Sequence, residues 1–172
     1  MRPDAGAVRV VDYDPARADH RAAYRALNLA WIERHFAVEP RDRLELDDPE
    51  RHVLAAGGRI FVAEVGTADG VRVLGTCAML REPDGACELA KMAVDEAARG
   101  RGVGRALGEA VVAAARSLGA PRVDLLSNTA LVPAIALYRA LGFVEVPLPR
   151  TDYARANIKM VLDLRGVAGG GG

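Results

Sequence analysis

Hydrophobic and polar residues follow two different periods along the chain, and the switches between them mark out its elements. VRVVDY (8–13) is rich in β-branched residues and reads as a first strand. From Pro15 to Phe36 the apolar positions Ala18, Ala22, Leu27, Ala30 and Trp31 recur at roughly helical spacing, with Pro15 at the start. The polar stretch EPRDRLELDDPERHVLAAGG predicts short helices around Pro49, ended by Gly57 and Gly58. RIFVAEV (59–65) and VRVLGTCAML (71–80) predict a hairpin closed by TADG, because Asp-Gly favours a tight turn. CELAKMAV (87–94) reads as a further, more buried strand.

A glycine-rich segment, AARGRGVGRALGE (97–109), comes next. Beyond it Val103, Ala106, Leu107, Ala110, Val111, Ala114 and Leu118 fall on one face of a helix, which Gly119 is placed to stop. RVDLLS (122–127) returns as a strand, and LVPAIALYRALG (131–142) is a second helix begun by Pro133 and ended by Gly142. FVEV (143–146) and NIKMVLDL (157–164) complete the strands. The order β-α-α-β-β-β-α-β-α-β-β predicts a mixed α/β sheet with helices packed on its faces. We expect a single domain over 1–165 and a flexible glycine-rich tail over 166–172.

Composition narrows the class. Hydrophobic residues at 51% and charged residues at 27% exclude a disordered chain. Basic and acidic residues balance at 23 each, which removes any bulk electrostatic reason to expect nucleic acid or a membrane surface as partner. No apolar run approaches the roughly 20 residues of a membrane helix, and MRPDAGAVRVVDYDP lacks the apolar core of a signal peptide. A cytoplasmic location is therefore expected. Cys77 and Cys87 lie in strand-like stretches and are expected to be buried thiols rather than a disulfide. His20, His35 and His52 show no metal-ligand spacing with each other or with the cysteines, so no metal is expected. Lys91 and Lys159 are the only lysines; the bias to Arg points to a GC-rich bacterial coding sequence.

The glycine segment has two readings, a structural turn or a phosphate cradle. A helix N-terminus carries unpaired N–H groups and partial positive charge, and glycines let an anion approach them. Arg99, Arg101 and Arg105 add charge. A P-loop needs Gly-Lys-Ser/Thr, but Gly104 is followed by Arg105 and Ala106. A dinucleotide fingerprint would put its third glycine on Arg105 or Leu107. What remains is Arg-x-x-Gly-x-Gly, filled by Arg99, Gly102 and Gly104.

With RGRGVGRAL followed some 30 residues later by AIALYRALGF, the chain resembles the GCN5-related N-acetyltransferase (GNAT) superfamily over roughly residues 8–164. The resemblance implies a mixed, mostly antiparallel sheet of about six to seven strands flanked by helices on both faces. It implies acetyl-CoA as co-substrate, with the pyrophosphate on Arg99, Gly100, Arg101, Gly102, Val103, Gly104 and Arg105. The backbone of Met92, Ala93 and Val94 would pair with the pantetheine arm, and an N–H near Met92 would polarise the thioester carbonyl.

Glu88, 14 positions before Gly102, stands where histone-type members carry a catalytic base; its other reading is a strand-end carboxylate paired with Arg or solvent. Tyr138 stands where the superfamily places a tyrosine on the CoA sulfur, and packing is the alternative. One departure concerns the asparagine that many members carry seven residues before this tyrosine: here that position is Leu131. Asn128 either substitutes for it as a CoA contact or caps a turn. Lys91 either lines the acceptor groove or pairs with an acid.

Trp31, Glu33, His35 and Phe36 fall in the region that walls the acceptor pocket, although helix packing explains Trp31 and Phe36 equally well. Glu33 would suit a cationic acceptor, and Tyr153 is a further acceptor-side candidate. The implied function is direct acetyl transfer to a primary amine, with a small molecule as the expected acceptor. The alternatives are a protein N-acetyltransferase and a non-catalytic CoA-binding module. Members of the superfamily commonly dimerise through their sheets, which makes a homodimer compatible with the resemblance, and the sequence leaves the oligomeric state open.

Overall fold

A computed structural model describes residues 6–151 and 153–166, so the expected tail lies outside the described residues apart from Gly166. The strands are β1 (Arg9–Asp12), β2 (Arg59–Thr67), β3 (Gly70–Arg81), β4 (Cys87–Val94), β5 (Arg122–Ser127), β6 (Val144–Val146) and β7 (Ile158–Asp163). They form one sheet in the order β1-β2-β3-β4-β5-β7-β6. Only the β4–β5 pair is parallel. The helices are α1 (Ala18–His35), α2 (Pro40–Asp47), α3 (Val103–Ser117) and α4 (Val132–Ala140).

One predicted boundary moves for a local reason, and the polar stretch forms the short helices expected around Pro49. Helix α1 begins at Ala18 rather than Pro15, because Asp14 closes a turn over the intervening residues. Its side chain accepts from the Ala16 N–H at 2.9 Å and its carbonyl from the Arg17 N–H at 3.0 Å. The polar stretch yields α2, with Pro40 in its first turn and a capping box between Glu39 and Asp42, then a π-helical turn over Glu50–Leu54.

Strand alternation divides the core between the two faces of the sheet. Phe61, Ala63, Cys77 and Met79 meet α3 and α4 on one side, while Ile60, Val62, Ala78 and Leu80 meet α1 and α2 on the other. Leu107 and Val111 of α3 are fully buried, each contributing about 1.5–3 kcal/mol. Small residues let α3 sit close. A Cβ on Gly108 would lie 2.6 Å from Leu141, and one on Gly75 would lie 3.0 Å from Val103. Cys77 and Cys87 are buried free thiols. No described helix is long and apolar enough to cross a membrane.

Two irregularities in β4 open the sheet. Its pairing with β5 consists of Cys87↔Val123 and Glu88↔Asp124, after which the strands part. Its pairing with β3 runs from Ala78↔Ala90 to Thr76↔Ala93, so Lys91 and Met92 together face the single residue Cys77. That is a β-bulge, and Lys91 sits in it at φ 52°, the one described non-glycine residue in the left-handed region. Such a conformation costs an L-residue about 1–2 kcal/mol.

Candidate active site

The parted strands frame a cleft of about 550 Å³. One end is walled by the loop preceding α3, the start of α3 and the start of α4; the other by α1 and residues 153–156. Between them runs the open edge of β4 beyond Glu88.

Backbone builds the first end. Gly100 and Gly102 adopt φ 77° and 74°, and a Cβ on either would meet nothing within 4 Å, so these glycines are required by conformation. Gly104 serves packing instead. A Cβ there would lie 3.2 Å from Leu137, so its absence lets α3 approach α4. Helix α3 has no side-chain cap and no acid in its first turn. Its first N–H groups and positive end therefore face the cleft unopposed. The segment leading into α3 is tied down by Asp95, which accepts from Ala97 N–H and pairs with Arg72 at 2.7 Å.

The sequence candidates divide here. Met92, Val94, Arg99, Gly100, Gly102, Val103, Gly104 and Arg105 line the cleft. Ala93 is instead buried in the sheet, and Arg101 is exposed outside the lining. Arg105 also pairs with Glu109 at 2.9 Å. Asn128 lines the cleft but has both polar ends engaged: its amide donates to the Arg155 carbonyl at 2.8 Å and its oxygen accepts from Ala130 N–H at 2.9 Å. This is the turn-capping arrangement, and it also ties down the segment before β7.

Side chains build the other end. Lys91 Nζ donates to the Tyr153 hydroxyl at 2.6 Å and lies 3.0 Å from Asp42 and 3.1 Å from Glu45. Arg155 grips both Asp42 oxygens, at 2.6 and 2.8 Å, and also reaches Glu39. Arg41 joins Glu45 at 2.8 Å to Glu88 at 3.2 Å. All three cations lie within 5 Å of the centre of the Tyr153 ring.

Burial opposes the charge on Lys91, but Tyr153, Glu45 and Asp42 outweigh it and push its pKa up. Burial likewise opposes ionisation of Asp42, yet Arg155, the Glu39 N–H and Lys91 hold it down at about 2. Asn28 donates to Tyr24 C=O at 2.8 Å and to Thr76 at 3.3 Å, placing a buried amide on the wall. Trp31, His35 and Phe36 line the cleft as mutual aromatic neighbours, with ring centres 5.5–6.2 Å apart, while Glu33 is exposed and outside the lining.

Glu88 and Tyr138 border this one cleft from β4 and α4. Glu88 is 8% exposed. Burial raises its pKa and Glu45 adds to the rise, while Arg41 and Lys91 pull against it. Burial, with a small contribution from Cys77, pushes the Tyr138 phenol well above its ordinary value. It remains a protonated donor throughout the physiological range. Glu88 thus has the Arg partner that its structural reading anticipated, in the same cleft as the candidate acid.

Arg41, Asp42, Glu45, Arg155 and Asn28 carried no functional signal in the sequence. The spacing of Glu39, Pro40 and Asp42 announces a helix start, but the Asp42–Arg155 contact spans 113 residues. Among the described residues no group of three or more His, Cys, Asp or Glu is placed to hold a metal.

A family model described as an acetyltransferase (GNAT) domain matches residues 56–145, just over half the chain, and the protein belongs to that family. Solved structures share its fold. An acetyltransferase of the GNAT family from Staphylococcus aureus Mu50 is 19% identical, with a TM-score of 0.79 over 92% of this chain and 100% of that one. An acetyltransferase from Streptococcus agalactiae 2603 is 22% identical, with a TM-score of 0.75 over 91% and 98%. The yncA protein of Salmonella typhimurium, solved with its cofactor acetyl-CoA, is 21% identical, with a TM-score of 0.64 over 95% and 98%. No curated protein matches the chain in sequence.

Proposed function

We propose that the protein transfers an acetyl group from acetyl-CoA directly to a primary amine, a small molecule rather than a protein. The observation that carries this reading is continuity. One cleft joins the free N–H groups of α3, the unpaired edge of β4, Glu88 and Tyr138. The pyrophosphate takes the N–H groups around Gly102–Gly104, with Arg99 and Arg105 beside it. The pantetheine arm adds to the open edge of β4 at Met92–Val94 as an extra strand. Its thioester carbonyl then lies by the bulge, where the Met92 N–H polarises it.

The amine arrives as an ammonium and gives one proton to the Glu88 carboxylate, directly or through water. Its freed lone pair attacks the carbonyl carbon. As the tetrahedral intermediate collapses, the C–S bond breaks and the attacking nitrogen loses its second proton, which the CoA sulfur takes up. Tyr138 donates a hydrogen bond to the departing thiolate. Its raised pKa favours that donation over full surrender of the proton, because an ordinary thiol is the stronger acid. The aromatic wall of Trp31, His35 and Phe36 at the far end favours a small acceptor over a protein segment. We further infer a cytoplasmic location, no need for a metal, and pairing of two copies, the last testable by sedimentation velocity.

The test is calorimetric titration with acetyl-CoA beside NAD and ATP, followed by thiol release from acetyl-CoA across a panel of amines and lysine peptides. Selective acetyl-CoA binding with amine-dependent thiol release is expected. Binding without release from any amine would make the protein a CoA-binding module, and no binding would remove the donor site.

A further inference from the structure

Lys91 combines two unusual conditions. Its backbone lies in the left-handed region at the bulge, a conformation that lysine does not favour, and its side chain is only 4% exposed. The ammonium is held from two elements that do not neighbour β4 in sequence: Asp42 and Glu45 on α2, and Tyr153 in the segment before β7. Those anchors are themselves fixed, Asp42 by Arg155 and Glu45 by Arg41. Glu88 and Cys77 are the remaining groups around the bulge, one along β4 and the other opposite on β3.

We propose that Lys91 is a positioning residue: its anchored ammonium holds the strained bulge and so aims the neighbouring Met92 N–H at the thioester carbonyl. The inference rests on the reading that this N–H polarises acetyl-CoA. A strained conformation persists where its surroundings over-determine it. Here three polar contacts on the side chain supply what a glycine would supply by having no Cβ. In this role Lys91 reacts with nothing: it lines the cleft, and its ammonium is engaged by Asp42, Glu45 and Tyr153. The same arrangement ties the acceptor wall to the acetyl group, because α2 and the Tyr153 segment bear on the bulge through one side chain.

Glycine separates this role from simple packing. It adopts φ 52° without strain, so it keeps the bulge while deleting every contact of the lysine. Methionine fills the space but keeps the strain and loses the anchor. Both substitutions are made with Glu45→Gln, so that the buried charge balance is that of the unsubstituted protein, which is the reference. The reporter is acetyl-CoA labelled with ¹³C at the acetyl carbonyl, read by isotope-edited infrared difference spectroscopy, which needs no acceptor. The carbonyl band should shift to lower frequency when the unsubstituted protein binds acetyl-CoA. That shift should be lost in Lys91→Met/Glu45→Gln and largely regained in Lys91→Gly/Glu45→Gln.

A full shift with methionine would overturn the proposal. So would a glycine variant that binds acetyl-CoA without the shift, or one that fails to fold, since the ammonium would then be a determinant of stability only. Failure of the unsubstituted protein to bind acetyl-CoA would bring down the donor-site reading, and this inference with it.

Discussion

The two ends of the cleft are made of different materials. At the proposed donor end the polar groups are mainly peptide N–H groups, presented by a helix start and an unpaired strand edge, with Arg99 and Arg105 beside them. At the proposed acceptor end they are charged side chains: Glu88, Lys91 and Arg155 line the cleft, and Glu39, Arg41, Asp42 and Glu45 pair with them from behind. Peptide dipoles do not titrate, and they need only the right φ to point the right way. Buried ions demand mutual partners, and removing one leaves another uncompensated. Changes at the donor end should therefore weaken acetyl-CoA binding with little effect on the fold. Changes at the acceptor end should alter stability, turnover and their dependence on pH together.

The largest expected effect lies where the two ends meet. Glu88→Gln should lower single-turnover acetyl transfer by about 10²–10⁴-fold, the usual range for a positioned base, with acetyl-CoA affinity almost unchanged. In the unsubstituted protein, transfer should rise with pH through an apparent pKa above the ordinary carboxylate range, because burial favours the neutral form of Glu88. The variant should lack that rise. Since the folded state raises this pKa, ionising Glu88 costs stability as pH climbs through it, and the variant should gain thermal stability relative to the parent over the same interval. Equal transfer rates under chemistry-limited conditions would remove Glu88 as the base.

Second is Asp42, which sharpens the contrast because it touches no reacting atom. Asp42→Asn deprives Lys91 and Arg155 of a buried anion and should destabilise the fold by about 3 kcal/mol in urea titrations. Its folded pKa of about 2 lies below the unfolded value, so its contribution is complete above about pH 4 and lost as pH falls towards 2. The parent should therefore lose about 2 kcal/mol over that interval that the variant does not. Matching acid-denaturation curves would show that the cluster does not hold the acceptor wall.

The same contrast explains what the sequence could convey. Local chemistry determines the donor end: Gly102 needs a positive φ, α3 carries its apolar stripe, and both follow a strand within a dozen residues. Each is visible in a short window. The acceptor end depends on Asp42 meeting Arg155 and on Lys91 meeting Tyr153, contacts across 113 and 62 residues. In the sequence, PRDRLELD looks like an ordinary solvated helix, and only its packing against Lys91 and Tyr153 turns those charges inward. The bulge was hidden for another reason: a lysine in an apolar run gives no sign of a positive φ. Gly104 was legible as part of a motif, but the motif did not show that its missing side chain also makes room for Leu137 of α4.

At the donor end, Gly102→Val places a β-branched residue at φ 74°. Relief of that strain would turn the first N–H groups of α3 away from the pyrophosphate. Acetyl-CoA affinity should fall by about 30-fold, equivalent to about 2 kcal/mol. Since a side chain here meets nothing within 4 Å, no packing is displaced and stability should change less than affinity. A large drop in urea midpoint with intact affinity would reverse the assignment and make Gly102 a fold residue.

The smallest expected effect falls on Tyr138. Tyr138→Phe keeps the ring that meets Phe143 edge-on at 6.1 Å and removes only the hydroxyl, so the core should hold. If that hydroxyl donates to the departing thiolate, its loss removes one charge-assisted hydrogen bond from the transition state, or about tenfold in single-turnover transfer. Acetyl-CoA affinity should barely move, because the thioester sulfur gains its negative charge only as the bond breaks. Burial keeps the phenol protonated well beyond pH 10, so the deficit should also be constant between pH 7 and 9. A deficit that vanished at the upper end of that interval would mean the proton departs by another route. An unchanged rate would leave Tyr138 to packing and return the whole burden of leaving-group stabilisation to the backbone of the donor end.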